Sequence, residues 1–362
     1  MTTDVCFPLP PGSVIGIVGG GQLGRMLALA AAPLGYRVHI YAPEASGPAY
    51  DVSERWVQGR YDDARALANF ADRVNVLTFE FENIETAPLA AFADRVPVAP
   101  SLCALEIGQD RRLEKAFAQD CGGRTAEWAE VSSRAELDAA LAKVGTPAIL
   151  KTARFGYDGK GQARIHSAAD VDAAWDALGA GIPLILEAMV PFDHEFSLIV
   201  GRDRMGTISF WDAPENVHRD GILVTSSFPP APVVREQVNA ARSLARKMGE
   251  RLDYVGVFAI EFFASNEGPV FNEMAPRVHN SGHWTIEGAE TSQFENHIRA
   301  VAGLPLGSTK LLGKSVAMHN IIGHDVDAWA SLAAAQGVHL HLYGKGEPRP
   351  GRKMGHWTRI SR

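Results

Sequence analysis

Apolar residues recur with two different periods along this chain, and the switches between them outline its elements. Val14 to Val18 is a short, β-branched apolar run, the pattern of a buried strand. A helical period follows from Leu23 to Ala32, and Arg37 to Tyr41 and Val74 to Phe79 read as further strands. This alternation predicts a parallel α/β unit, with Pro97 and Pro100 marking its end.

Beyond the prolines the pattern changes. Gln109 to Gln119 predicts a charged helix, and Ala135 to Val144 another. A strand from Pro147 to Leu150 ends on Lys151; Val171 to Leu178 reads as helix and Leu184 to Glu187 as strand. Glu195 to Val200, Met205 to Phe210 and Ile222 to Phe228 read as antiparallel strands, followed by a helix from Val233 to Leu252. Val255 to Phe263 and Val270 to Met274 predict a hairpin across Ala264 to Pro269, with Gly268 near its turn. Phe294 to Val301 is helical. The tail adds a strand (Val316 to Ile321), a helix (Val326 to Ala335), a strand (His339 to Tyr343) and a basic segment from Lys345 to Lys353. The class is therefore α/β at the N-terminus and α+β overall, with no internal repeat.

Composition narrows the function. A chain of 362 residues is long enough for two or three cored domains. Its net charge of −7 argues against a general nucleic-acid binder but not against a local cationic pocket. No apolar run approaches the roughly 20 residues of a membrane span, and Met1 to Gly12 lacks the form of a signal peptide. Cys6, Cys103 and Cys121 are widely separated and odd in number, which suits reduced thiols in a cytoplasmic protein.

Five constellations carry candidate chemistry. Lys151 closes a strand and precedes Gly156-Tyr157-Asp158-Gly159-Lys160-Gly161-Gln162, whose glycines let backbone N–H groups crowd an anion. That predicts a loop over a nucleotide phosphate. No Lys-Ser/Thr pair follows, so it is not a P-loop. Gly19-x-Gly21-x-x-Gly24 sits between a strand and a helix, with Glu44 20 residues beyond. This is either a dinucleotide fingerprint or only a tight strand-to-helix turn. Glu261 and Glu273 end the two hairpin strands and would stand opposite each other, with Asn272 beside them. They are either Mg²⁺ ligands or partners of arginines on a solvated face; the apolar residues around both favour the metal. Arg277, His279 and His283 lie in a donor-rich loop suited to oxyanion binding and proton transfer. Lys345, Arg349, Arg352 and Lys353 form either a solvated basic face or a clamp on a substrate phosphate.

These motifs, with Glu215-Asn216-x-His218-x-x-Gly221 and Pro350-Gly351-Arg352-Lys353-x-Gly355-His356, occur in an order that resembles the ATP-grasp superfamily. More closely, the chain resembles the carboxyaminoimidazole ribonucleotide synthetases within it, over nearly its whole length. The resemblance implies an ATP-grasp fold: an N-terminal parallel α/β preATP-grasp domain (1–108), an ATP-grasp region (109–303, with a central lid at about 109–190) and a C-terminal segment (304–362) completing the third domain.

It also implies a ligase that uses ATP and Mg²⁺. Arg111, Lys151, the loop from Gly156 to Gln162, and the hinge Glu187, Ala188, Met189 and Val190 would hold the nucleotide, with Glu195, His218, Asn272 and Glu273. Glu261 and Glu273 would bind the metal; Asp158, Arg277, Lys345 and Arg352 would hold a ribonucleotide substrate. Lys151 and Arg277 would stabilise the transfer, and His279, His283 or the departing phosphate would take the amine proton. The implied substrates are ATP, bicarbonate and 5-aminoimidazole ribonucleotide. A homodimer, functional coupling to the following mutase and a cytoplasmic location are further expectations, without nucleic-acid or membrane partners.

Overall fold

The computed structural model of the protein describes residues 5–156, 161–179 and 181–361. Three sheets organise it. The first contains β1 (Val14–Val18), β2 (Arg37–Ala42), β3 (Arg55–Gln58) and β4 (Val76–Phe79), all parallel, in the order β3-β2-β1-β4. All five residues of β1 are buried, as a central parallel strand covered on both faces requires.

The second sheet is small and antiparallel: β5 (Trp128–Val131), β6 (Ala148–Thr152), β7 (Gln162–Ile165) and β8 (Leu184–Ala188), in the order β5-β8-β6-β7. The helices Arg134–Val144 and Val171–Leu178 close its core through Leu137, Ala140, Val171 and Ala174.

The third sheet has nine strands: β9 (His194–Arg202), β10 (Ile208–Phe210), β11 (Glu215–Arg219), β12 (Ile222–Phe228), β13 (Gly256–Ser265), β14 (Gly268–Ala275), β15 (Ser315–Ile322), β16 (Val338–Leu342) and β17 (Lys353–Ser361). Their order is β14-β13-β9-β11-β12-β15-β17-β16, with β10 also on β9. The helix Pro232–Arg251 starts on a proline, which a first helical turn tolerates, and buries Val234, Ala241, Leu244, Ala245 and Met248 at helical spacing. β15 joins β12 through Phe228 and Val316, so the C-terminal strands extend the sheet that carries the acidic hairpin.

The structure departs from the sequence pattern in several places. β3, β11 and β17 and the helix Ala64–Ala71 are additional elements. β11 and β17 hid because they are polar: β17 buries His356 and Thr358 where apolar residues mark most strands. The expected helix at 326–335 divides into a 3-10 turn, Gly323–Ala328, and a short helix, Trp329–Ala334. The hairpin turn is tighter than expected, since Ser265 already pairs with Gly268.

One buried imidazole joins the first and third sheets. His297 accepts the Val257 N–H at Nδ1 (3.1 Å), so its proton resides on Nε2, 2.8 Å from the Thr78 hydroxyl oxygen. That contact fixes the end of β4 beside the hairpin.

Candidate active site

The glycine turn after β1 is already occupied by this chain's own anion. Glu80, just past β4, accepts the Gly21 N–H at 2.7 Å and the Gly24 N–H at 3.0 Å. Gly19 has φ of +111°, and a Cβ built there would lie 2.5 Å from Glu80 Cγ. The dinucleotide alternative is thereby corrected: a carboxylate fills the place where a pyrophosphate would sit. Glu44 contributes a backbone carbonyl to Trp56 Nε1 (3.0 Å).

The acidic hairpin forms as its pattern predicts. Glu261 on β13 and Glu273 on β14 are register partners, with a bulge just beyond Glu261. Burial, then the charge of Glu273, pushes the Glu261 carboxyl up to about 7. Burial acts in the same sense on Glu273, but Arg111 and Lys151 outweigh it and hold that carboxylate low. Arg111 Nη1 donates to Glu273 Oε2 at 3.1 Å. His218 Nδ1 lies 2.7 Å from Glu195 Oε2, and His279 Nε2 lies 3.6 Å from Glu261 Oε1.

Among the described residues, no group of three or more His, Cys, Asp or Glu forms a closed metal cage. Two facing carboxylates, one raised toward neutrality by burial and by its neighbour's charge, nevertheless fit a divalent cation. Mg²⁺ commonly takes one or two protein carboxylates and completes its shell with water and substrate phosphates.

A lysine pair backs this site. Lys151 Nζ on β6 donates to Glu187 Oε2 on β8 at 3.0 Å, and Lys115 Nζ lies 3.2 Å from the same oxygen. Burial opposes ionisation of Glu187, but Lys115 and Lys151 prevail and draw its pKa down to about 2. Beyond it, Ala188 donates its N–H to Glu127 (2.8 Å) and Met189 to Pro147 (3.0 Å), leading the chain into Val190. The Asn272 carbonyl accepts from Lys115 at 3.2 Å. Glu114 accepts the Met274 N–H, and burial with the Glu273 charge raises its pKa to about 8. Lys115 and Glu114 were missed in the sequence. Their spacing from Arg111 on the helix Arg111–Asp120 puts all three on one face, a signal that was available.

A cavity of about 730 Å³ opens between the sheets. It is lined by Arg111, Glu273, Arg277 and His279 on one side and by Lys345 and Arg349 to Lys353 on another; Gly156 is at its edge. Arg277 is held in a two-point pair by Glu82, another residue missed in the sequence. Lys345 Nζ sits 5.6 Å from the Tyr343 ring centre, and Arg352 Nη1 donates to the Glu347 carbonyl at 3.0 Å. Gly161, with φ of +70°, accepts the Thr152 N–H at 2.8 Å and leads to Gln162 at the start of β7. Tyr157, Asp158, Gly159 and Lys160 lie outside the described residues.

His283 requires a correction. It does not line the cavity; it is fully buried against His356 and Phe294, with ring centres 4.8 and 5.4 Å away. Its loop is dense in donors, but the short helix that follows turns this side chain into the core.

Comparison with known proteins shows the family. Family models match as a ribonucleotide synthetase preATP-grasp domain (residues 13–109), an ATP-grasp domain (116–294) and a phosphoribosylaminoimidazole carboxylase C-terminal domain (316–362). The N5-carboxyaminoimidazole ribonucleotide synthase of Brucella melitensis is 49% identical, with 97% of each chain covered.

The chain belongs to the N5-carboxyaminoimidazole ribonucleotide synthase family.

The synthase of Pseudomonas aeruginosa is also 49% identical, covering 95% of this chain and 93% of that one. Among solved structures, an N5-carboxyaminoimidazole ribonucleotide synthetase in complex with ADP superposes with a TM-score of 0.93 at 39% identity (98% and 94% of the two chains). The Aspergillus clavatus synthase in complex with ADP and 5-aminoimidazole ribonucleotide gives 0.90 at 32% identity (97% and 94%). The ATP-grasp fold expected from the motifs is the fold of the chain.

Proposed function

We propose that this protein uses ATP and bicarbonate to carboxylate the exocyclic amine of 5-aminoimidazole ribonucleotide, releasing ADP and phosphate through carboxyphosphate, in de novo purine synthesis. Glu261 and Glu273 in register beside the basic cavity carry this reading, in a chain whose relatives bear that synthase name along its length.

Each group has work in such a reaction. Lys151, held by Glu187, and Arg111, beside Glu273, would meet the triphosphate. The hinge from Glu187 to Val190, with Glu195 and His218, would seat the nucleoside. The loop from Gly156 to Gln162 would cover the phosphates and exclude water. Lys345 and Arg352, with Asp158, would hold the ribonucleotide. Arg277, kept in orientation by Glu82, would meet negative charge as bicarbonate attacks the γ-phosphorus. Glu261 and Glu273, with Asn272 beside them, would hold Mg²⁺, which supplies charge neutralisation on the phosphate oxygens when bound.

The same reading expects a cytoplasmic homodimer functionally coupled to the mutase that follows. Among the described residues no helix is long and apolar enough to cross a membrane, and Cys6, Cys103 and Cys121 are free thiols.

Coupled ADP detection with bicarbonate and aminoimidazole ribonucleotide, each omitted in turn, is the test. ADP release that needs both supports the proposal. Release that needs formate and glycinamide ribonucleotide instead overturns it in favour of a ligase for another acid.

A further inference from the structure

His279 lines the cavity, and its ring is held by Ser281 in the same loop, which is backed by a serine of β9. Its Nδ1 faces inward. The Ser281 backbone N–H points at that nitrogen from 3.3 Å, and the Ser281 hydroxyl oxygen lies 2.9 Å from it. Behind Ser281, the Ser197 hydroxyl of β9 donates to Ser281 Oγ at 2.7 Å. Both serines are fully buried.

A backbone amide can only donate, so Nδ1 must present its lone pair. Ser281 Oγ takes the Ser197 proton and directs its own to the same nitrogen. A neutral imidazole with Nδ1 accepting carries its single proton on Nε2. Gln293 fixes the backbone as well: its Oε1 accepts the His279 N–H at 3.0 Å and its Nε2 donates to the His279 carbonyl at 2.7 Å. The ring therefore turns Nε2–H toward the cavity's acidic end. Glu261 Oε1, 3.6 Å away, is too distant to engage that proton fully, which leaves the donor for an oxygen of a bound substrate.

We propose that Ser281 and Ser197 are positioning residues that hold His279 as a hydrogen-bond donor, with Nε2–H facing the bicarbonate-derived oxygens, and that His279 is not a base. A base at this position needs a lone pair on Nε2, and the serine relay puts a proton there. His279 then steadies negative charge on the transferred group, as a preoriented neutral donor does. This assignment deepens the carboxylation reading and rests on it.

Two measurements test it. The first is ¹⁵N NMR of histidine-labelled enzyme with ADP and Mg²⁺, which reads the tautomer without turnover. The His279 signals should show a protonated Nε2 and a bare Nδ1, and Ser281→Ala, which keeps the backbone N–H but loses the hydroxyl donor, should shift the Nδ1 signal. A protonated Nδ1, or a Ser281→Ala spectrum identical to wild type, overturns the proposal.

The second is a kinetic series. Loss of the donor in His279→Ala should lower kcat by about a hundredfold, with KM for ATP little changed. In His279→Gln an amide N–H reaches a similar place without offering a base, so kcat should stay at least about tenfold above the alanine variant. Equal loss in both overturns the donor role, since general-base removal would depress them alike, by about 10²–10⁴. Wild-type enzyme that releases no ADP with the aminoimidazole substrate would instead remove the carboxylation reading, and the charge-steadying role with it, while the NMR result on ring orientation stands.

Discussion

His297 Nε2 lies 2.8 Å from Thr78 Oγ1, a buried hydrogen bond between residues 219 positions apart. It links the parallel sheet to the nine-stranded one, and the Val257 N–H bond to Nδ1 on the other side of the ring forms only while the imidazole is neutral. Burial lowers the pKa of His297 to about 4, from an ordinary value of 6.5. The unfolded chain therefore takes up a proton that the folded chain refuses. The stabilisation is complete above pH 6.5 and drains away as pH falls toward 4, by about 3 kcal/mol in all. Denaturant midpoints measured from pH 7 to pH 4 should fall accordingly. His297→Gln should be less stable at pH 7 and lose this part of the slope.

Glu80 should matter for stability as much as for shape. Glu80→Ala leaves the Gly21 and Gly24 N–H groups without their acceptor, at a cost of about 1–3 kcal/mol. Glu80→Gln retains one acceptor oxygen and should lose less. Urea unfolding of the two variants beside wild type gives both values.

The acidic pair should be indispensable to turnover and dispensable to folding. Glu273→Gln removes the charge that faces Glu261 and that Arg111 pairs with. ADP formation should fall by at least about a hundredfold, while the thermal midpoint falls only modestly, because Arg111 loses its carboxylate partner but the repulsion on Glu261 is relieved. Substantial Mg²⁺-dependent turnover in this variant would contradict the assigned role.

Lys115 is almost wholly enclosed and shares Glu187 with Lys151. Lys115→Met matches its length but leaves the buried Glu187 carboxylate with one ammonium partner. Breaking such a pair from one side should destabilise the fold by about 3 kcal/mol, readable as a shift of the urea midpoint.

Much of this was legible in the chain, for particular reasons. The Glu261–Glu273 pairing follows from two apolar strands of known period around a short turn, so local pattern sufficed. Lys151 and its glycines form one contiguous motif. The missed residues are solitary: Glu80 and Glu82 carry no motif, and their partners lie 56 or more positions away, at Gly24, Gly21 and Arg277. A single carboxylate in a loop says nothing about which distant donor it will meet. His283 misled for the opposite reason, because a segment rich in polar side chains can be buried whole, as residues 280–285 are. β17 was hidden by its composition, since strand pairing with β15 and β16 fixes it where polar side chains gave no period-two signal.

The turn after β1 also bears on redesign. Anyone grafting nicotinamide chemistry onto this scaffold would first have to evict a resident side chain, and the vacated space would then have to be rebuilt for a much larger guest. Pattern searches keyed to three spaced glycines will keep flagging such chains as redox enzymes, because the backbone shape is shared and only its tenant differs.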